Sequence, residues 1–394
     1  MVRSAPARSA LFVLVAGSAA LACNASGDLT SATETTTDAT SDDATTTTTS
    51  GTSSTSSDAT TSTSSGDASS TSGDATTTSG DATTTTSTTS TSGESESEGD
   101  TSTGTTGEVG PMVDLDDPQL YSFEFTPDEA DAAASQALAT QLAYLDTQVE
   151  PRGTLVVYLH GAGAPQTCGS KAHGQVLAGM GFHVFSPCYI SDYGVGNCGD
   201  DIGGCRLEAF EGVDHHPFID ITPENSAEVR IVKGLQYLQA QHPGGDWQYF
   251  LDGDQPRWDK IIISGISHGA SSSGVIGMNR IVDRVVMLSG PLDSGQAWLK
   301  GQPMTTIDRF YAFTHTGDNQ HPGHLQSFTD MMLVGEPTSV DGALPPYAGS
   351  HRLMSSAETD NGHGAVQAGG PSPKDGDNEY VYMPVWRYLY GVEP

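Results

Sequence analysis

The chain has 394 residues, of which 49 are acidic and 16 are Lys or Arg, giving a formal net charge of −33. No basic patch is present that would displace counterions from phosphate, so the composition argues against a nucleic-acid partner. It also divides the chain. Residues 24–110 hold 14 acidic and no basic residues, which leaves 35 acidic against 14 basic residues in 111–394, a net of −21.

Residues 1–22 read as a secretory signal, with Arg3 and Arg8 ahead of a short apolar run over 10–22. That run is too short to span a bilayer as a stable helix. It closes on Ala20-Leu21-Ala22-Cys23, which resembles a bacterial lipoprotein processing site although Ala20 stands where Leu is usual. The resemblance implies a lipid anchor on Cys23 and membrane attachment of an exported protein at the cell surface or outer membrane, or plain secretion if an ordinary signal peptidase cuts near Ala22. Two or more acyl chains on one Cys would hold a protein firmly, where a single chain would not.

Residues 23–110 are almost all Thr, Ser, Gly, Asp and Ala. Such a stretch cannot bury enough apolar surface to offset the entropy of ordering and is expected to be a disordered stalk. Ser-Gly-Asp-Ala recurs at Ser65, Ser72 and Ser79. No apolar seam accompanies this period of seven, so it is a spacer rather than a coiled coil.

Residues 111–394 have the length of one α/β domain. Short apolar runs alternate with helical patterns, the mark of a mostly parallel sheet of about eight strands flanked by helices. Strands are expected at 121–125 (an edge), 154–160, 182–188, 260–264, 284–288, 309–313 and 351–354. Helices are expected at 171–180, 222–241 and 384–390, the second with Thr222 as N-cap and Pro223 in its first turn.

The segment that carries chemistry is KIIISGISHGASSSGVIGM, residues 260–278, which holds the pentapeptide Gly265-Ile266-Ser267-His268-Gly269. Five residues with three fixed recur by chance, but here an apolar strand leads in and a small-residue helix leads out. That context lets a serine sit on a tight strand-to-helix turn with its hydroxyl exposed. The competing reading is a Gly-rich turn that only packs a helix on a sheet.

On these residues the chain resembles the α/β-hydrolase superfamily from about Leu120 to the C-terminus. The resemblance implies a serine hydrolase that cleaves carboxylic esters through an acyl-enzyme, with no cofactor and no metal. Ser267 would be the nucleophile, Asp318 the acid after the 309–313 strand, and His363, in Asp360-Asn361-Gly362-His363-Gly364, the base. Asp293 is the alternative acid, drawn from one strand earlier, and His351 the rival histidine. His160-Gly161-Ala162-Gly163 stands where the family builds its oxyanion hole. The N–H of Ala162, with Gly161 or Gly163 as substitutes, would then pair with that of His268. A donor of this kind is typically worth about 3 kcal/mol of barrier.

Cys168, Cys188, Cys198 and Cys205 are an even number in an exported chain and read as two disulfides rather than a zinc site. Three connectivities are open, and nearness favours Cys168–Cys188 with Cys198–Cys205. Residues 188–217 are expected to form a disulfide-pinned loop, either overhanging the active site or a plain surface excursion. His315, Asp318, His321 and His324 are close enough in sequence to bind a metal, but His321-Pro322-Gly323-His324 reads as a helix break that would not present two ligands on one face. The expected partners are a small or polymeric ester and a membrane. Other functions compatible with the same residues are a non-catalytic binding module, an amide or peptide hydrolase, and an acyltransferase. The sequence does not fix an oligomeric state.

Overall fold

A computed structural model describes residues 110–393, so the expected signal, Cys23 and nearly all of the expected stalk lie outside the described residues. The strands of the main sheet are β1 (Leu120–Phe125), β2 (Thr140–Asp146), β3 (Leu155–Leu159), β4 (Thr167–Cys168), β5 (His183–Ser186), β6 (Ile261–Ile266), β7 (Arg284–Leu288), β8 (Phe310–His315), β9 (Thr338–Ser339) and β10 (Arg352–Ser355). They form one sheet in the order β1-β2-β5-β3-β6-β7-β8-β10-β9, with β4 on β2. The β1–β2 and β2–β5 pairs are antiparallel, and every pair from β5 across to β9 is parallel. Eight strands have four residues or more, and β4 and β9 are two-residue additions.

The main helices are α1 (Lys171–Ala178), α2 (Ile202–Glu211), α3 (Ala227–Gln241), α4 (His268–Asn279), α5 (His321–Asp330) and α6 (Met383–Leu389). Alternation along the central strands divides the core into two layers, because successive side chains on a strand point to opposite faces. Leu155, Val157, Leu159, Ile261 and Ile263 meet α3 and α4 on one face, through residues such as Ile231, Leu235 and Ile276. Val156, Tyr158 and Ile262 meet α1 and α6 on the other, through Leu177, Trp386 and Leu389. Parallel strands covered on both faces explain why TLVVYLH and KIIIS are apolar runs rather than alternating ones. This mostly parallel sheet with helices on both faces is the architecture that the α/β-hydrolase resemblance implies.

Four expectations need correction. The helix expected over 222–241 is broken: Pro223–Asn225 is a single 3-10 turn, Ser226 is extended, and α3 starts at Ala227 with the Ser226 hydroxyl accepting from the Val229 N–H. Asn225 is drawn off by the Ser135 and Gln136 N–H groups, which accounts for the bend. Residues 140–146, where no strand is expected, form β2. Residues 188–217 are not a plain loop, because α2 lies within them, capped by Asp201 on the Gly204 N–H. The supposed break at His321 is a helix start, since Pro322 sits in the first turn of α5, where its missing N–H does no harm.

The cysteines pair as Cys168–Cys188 and Cys198–Cys205. Two disulfides in a domain of this size mark an exported chain. Among the described residues no helix is long and apolar enough to cross a membrane.

Three buried histidines make the domain acid-sensitive. Burial lowers His160 to about 4, His173 to about 3 and His183 to about 4. The unfolded chain therefore binds more protons than the folded one between about pH 6.5 and 4, and stability falls as pH falls through that window. The melting temperature should decline steadily from pH 7 to pH 5, before most carboxylates titrate. A flat profile over that range would contradict this assignment.

Candidate active site

The candidate residues all lie at the carboxyl ends of parallel strands, the edge where ligands bind in open α/β sheets. Ser267 follows β6, the 160–163 turn follows β3, Asp318 lies three residues beyond β8, and His363 lies eight beyond β10.

Ser267 has φ 59° and ψ −120°, a strained conformation for a residue with a side chain. The strain is held from both sides. The Ser267 N–H donates to the Leu288 carbonyl at the end of β7, and the Ser267 carbonyl receives the Ala270 and Ser271 N–H groups that open α4. The N–H groups of His268 and Gly269 precede those first intrahelical bonds and are left at the positive end of the helix. Close packing behind the turn depends on Gly269. A Cβ there would lie 2.2 Å from the Leu159 carbonyl oxygen and 2.6 Å from that of His160. Both contacts are to backbone, so no side chain can swing aside. Gly269→Ala is expected to lower the melting temperature by about 3–10 °C, the shift that a 1–3 kcal/mol overpacking cost implies in a domain of this size, or to abolish soluble expression where the backbone cannot give. Thermal unfolding of the purified variant checks this.

Asp318 and His363 meet directly: His363 Nδ1 lies 2.6 Å from Asp318 Oδ2. The Gln320 N–H donates to Asp318 Oδ1 at 2.9 Å, so both carboxylate oxygens are engaged. Burial pushes the Asp318 carboxyl up, but the Gln320 N–H and the hydrogen bond and charge of His363 outweigh it, leaving the group below its ordinary value. The two loops are locked together. A Cβ on Gly362 would be 2.5 Å from the Gly317 carbonyl carbon and 2.6 Å from the Asp318 nitrogen, so only glycine permits this approach. His315 ties the same loops by accepting from the Gly317 N–H at Nδ1 and donating from Nε2 to the Ala357 carbonyl. The Ser289 hydroxyl donates to the His363 carbonyl at 2.8 Å, anchoring that loop to the end of β7 beside Ser267.

The His363 side chain is 34% exposed and its Nε2 is uncommitted. No hydrogen bond joins it to Ser267 Oγ among the described residues. Such bonds are commonly long in free enzymes and tighten when substrate binds.

The 160–163 turn packs on Ser267: a Cβ on Gly161 would stand 3.6 Å from Ser267 Cβ and 4.0 Å from its Oγ. Ser191 holds the turn, its hydroxyl set against the Gly161 and Gly163 carbonyls and its carbonyl receiving the Gly163 N–H. Gly163 is thereby committed, whereas the Ala162 N–H has no partner among the described residues. Tyr189 links the turn to α4 through the His160 carbonyl at 2.9 Å and His268 Nδ1 at 3.1 Å. Burial, with Arg206 and His160 nearby, keeps the His268 side chain neutral, well below its ordinary value.

Asp293 is placed elsewhere. It forms a buried two-pronged pair with Arg206, at 2.7 and 2.8 Å, and accepts from the Trp298 indole N–H. Arg206 also reaches the His268 carbonyl and Ser272, so this pair braces α4 from α2. His351 is likewise distant, bonded to the Phe310 carbonyl and stacked on Tyr311. His321 and His324 both turn toward the Thr314 hydroxyl, and His324 stands 4.0 Å from Asp318 Oδ2.

No family model matches the chain, and no curated protein matches it. Solved structures similar to it include a feruloyl esterase module from Clostridium thermocellum, at 11% identity over 69% of this chain and 87% of that one, with a TM-score of 0.33. An acetyl xylan esterase from Aspergillus awamori matches at 12% identity, over 69% of this chain and 100% of that one, with a TM-score of 0.35. Esterase 2 of Thermogutta terrifontis matches at 13% identity over 70% and 90%, with a TM-score of 0.31. At these identities and scores the likenesses decide nothing about this chain's chemistry. Its own strand order and the strained turn at Ser267 give it an α/β-hydrolase fold.

Proposed function

We propose that the protein is an exported serine hydrolase that cleaves carboxylic esters, with Ser267, Asp318 and His363 as its triad. The observation that carries this reading is the 2.6 Å contact between Asp318 and His363 at the same sheet edge as a serine with φ 59°. A strained serine, an imidazole and a buried carboxylate have no common structural purpose, whereas together they supply nucleophile, base and orienting acid.

In this reading His363 Nε2 takes the Ser267 proton as Oγ attacks the ester carbonyl. Asp318 holds the proton on Nδ1, fixing the tautomer and stabilising the imidazolium. The His268 and Ala162 N–H groups receive the developing oxyanion. Collapse expels the alcohol, which takes the proton from His363, and water then releases the acid by the same steps. Cys23 and the stalk supply a membrane tether, a reading that rests on the sequence alone.

The test is steady-state hydrolysis of p-nitrophenyl acetate, butyrate and octanoate by the full chain with its disulfides formed. Turnover above the rate in buffer supports the proposal, and none from a folded protein refutes it. Amide cleavage and acyl transfer to an added alcohol use the same residues and are read in parallel assays.

A further inference from the structure

We propose that the cavity of about 680 Å³ beside the 160–163 turn is the subsite for the larger half of the ester, and that it admits uncharged or cationic groups and rejects anionic ones. The proposal rests on the serine-esterase reading and adds the substrate class.

The location follows from the lining. His160, Gly163, Tyr189 and Ser191, the residues that build and pin the turn against Ser267, form one wall of this cavity. A second cavity of about 200 Å³ lies along Gly161, Ala162 and Ile266, next to Ser267 in the chain and in space. The two share His160 and Pro165, so the turn separates a small chamber from a large one. The large chamber has more than three times the volume of the small one, so the bulkier half of a substrate is assigned to it.

The selectivity follows from charge. Leu138, Ile190, Ile219 and Ile221 give the large cavity an apolar lining, to which exposed Asp192 and Asp220 add two carboxylates. No Lys or Arg lines it. His160 adds no charge, since burial keeps its ring neutral, and its Nε2 is left without a hydrogen-bond partner. Arg206, on the neighbouring helix, is neutralised by Asp293. An anion in this cavity meets two carboxylates and no counter-charge, whereas an ammonium or hydroxyl donor meets acceptors.

The experiment compares acetate esters whose alcohol ends in a quaternary ammonium, a neutral tert-butyl or a sulfonate group, at matched length. A mirror set of methyl esters carries the same three groups on the acid. At low salt, kcat/KM for the anionic member should be roughly tenfold below the neutral one in both sets, and added salt should shrink the gap. In the Asp192→Asn, Asp220→Asn double variant the ratio of neutral to anionic kcat/KM should close to about twofold. Equal rates for anionic and neutral esters in the native chain would overturn the proposal, as would a gap that survives in the double variant. Failure to hydrolyse any ester, neutral ones included, would instead remove the esterase reading itself.

Discussion

Ser267→Ala is expected to lower kcat/KM for a short-chain ester by about 10⁴- to 10⁶-fold, the range seen when a triad serine is removed from other hydrolases. The same change should move the melting temperature by no more than about 2 °C, within the usual range for a substitution that breaks no contact. Ser267 Oγ makes no hydrogen bond among the described residues, and alanine keeps the same Cβ on the same strained backbone. A large activity loss without a stability loss separates a nucleophile from a packing residue. Parallel kinetics and thermal unfolding of the two proteins measure both. Loss of stability alongside activity would return the Gly-Ile-Ser-His-Gly segment to the role of a tight turn.

The second large effect is expected at Asp318. Asp318→Asn should reduce kcat by about 10⁴-fold, as the equivalent change does where an aspartate fixes the histidine tautomer. The amide retains an oxygen for the Gln320 N–H but no longer offers a negative charge to the imidazolium. Asp293→Asn provides the contrast. Asp293 is paired with buried Arg206, so its neutralisation leaves a cation uncompensated at α4 and should cost about 3–5 kcal/mol of stability. Catalysis by the protein that remains folded should fall far less than in Asp318→Asn. Rates normalised to active, folded protein distinguish the two carboxylates. If Asp293→Asn were the more damaging to kcat, the assignment of the acid would be reversed.

The sheet was legible wherever a strand is buried on both faces, because parallel pairing under two helical layers demands continuous apolar runs. Leu155–Leu159, Ile261–Ile266 and Arg284–Leu288 stand out for that reason. Thr140–Asp146 was missed although nearly all of it is buried, since Gln141 and Tyr144 interrupt the apolar pattern that marks such strands. Gln141 is kept inside by accepting from the Cys188 N–H, a contact no local pattern reveals. The α5 start was misread because Pro322 and Gly323 suggest a break, while a helix tolerates proline in its first turn.

Within the candidate site, Ser267, Asp318 and His363 are proposed because each follows a recognisable strand in a fixed order, and Asp318 and His363 are in contact. The groups that position them were not legible in the sequence. Ser191, Tyr189, Ser289 and His315 act across 28 residues or more, and nothing about a lone serine or tyrosine announces the carbonyl it will hold. Arg206 is the one basic residue of α2, beside Glu208 and Glu211, but its partner Asp293 lies 87 residues away.

The most direct test of the central claim is covalent trapping. The full chain, with disulfides intact, is treated with a fluorophosphonate, digested, and the adduct located by peptide fragmentation. The account predicts one equivalent of label on Ser267, absent from Ser271, Ser272 and Ser273 in the same peptide, and lost in Ser267→Ala. An unlabelled folded protein, or label confined to another residue, would contradict it.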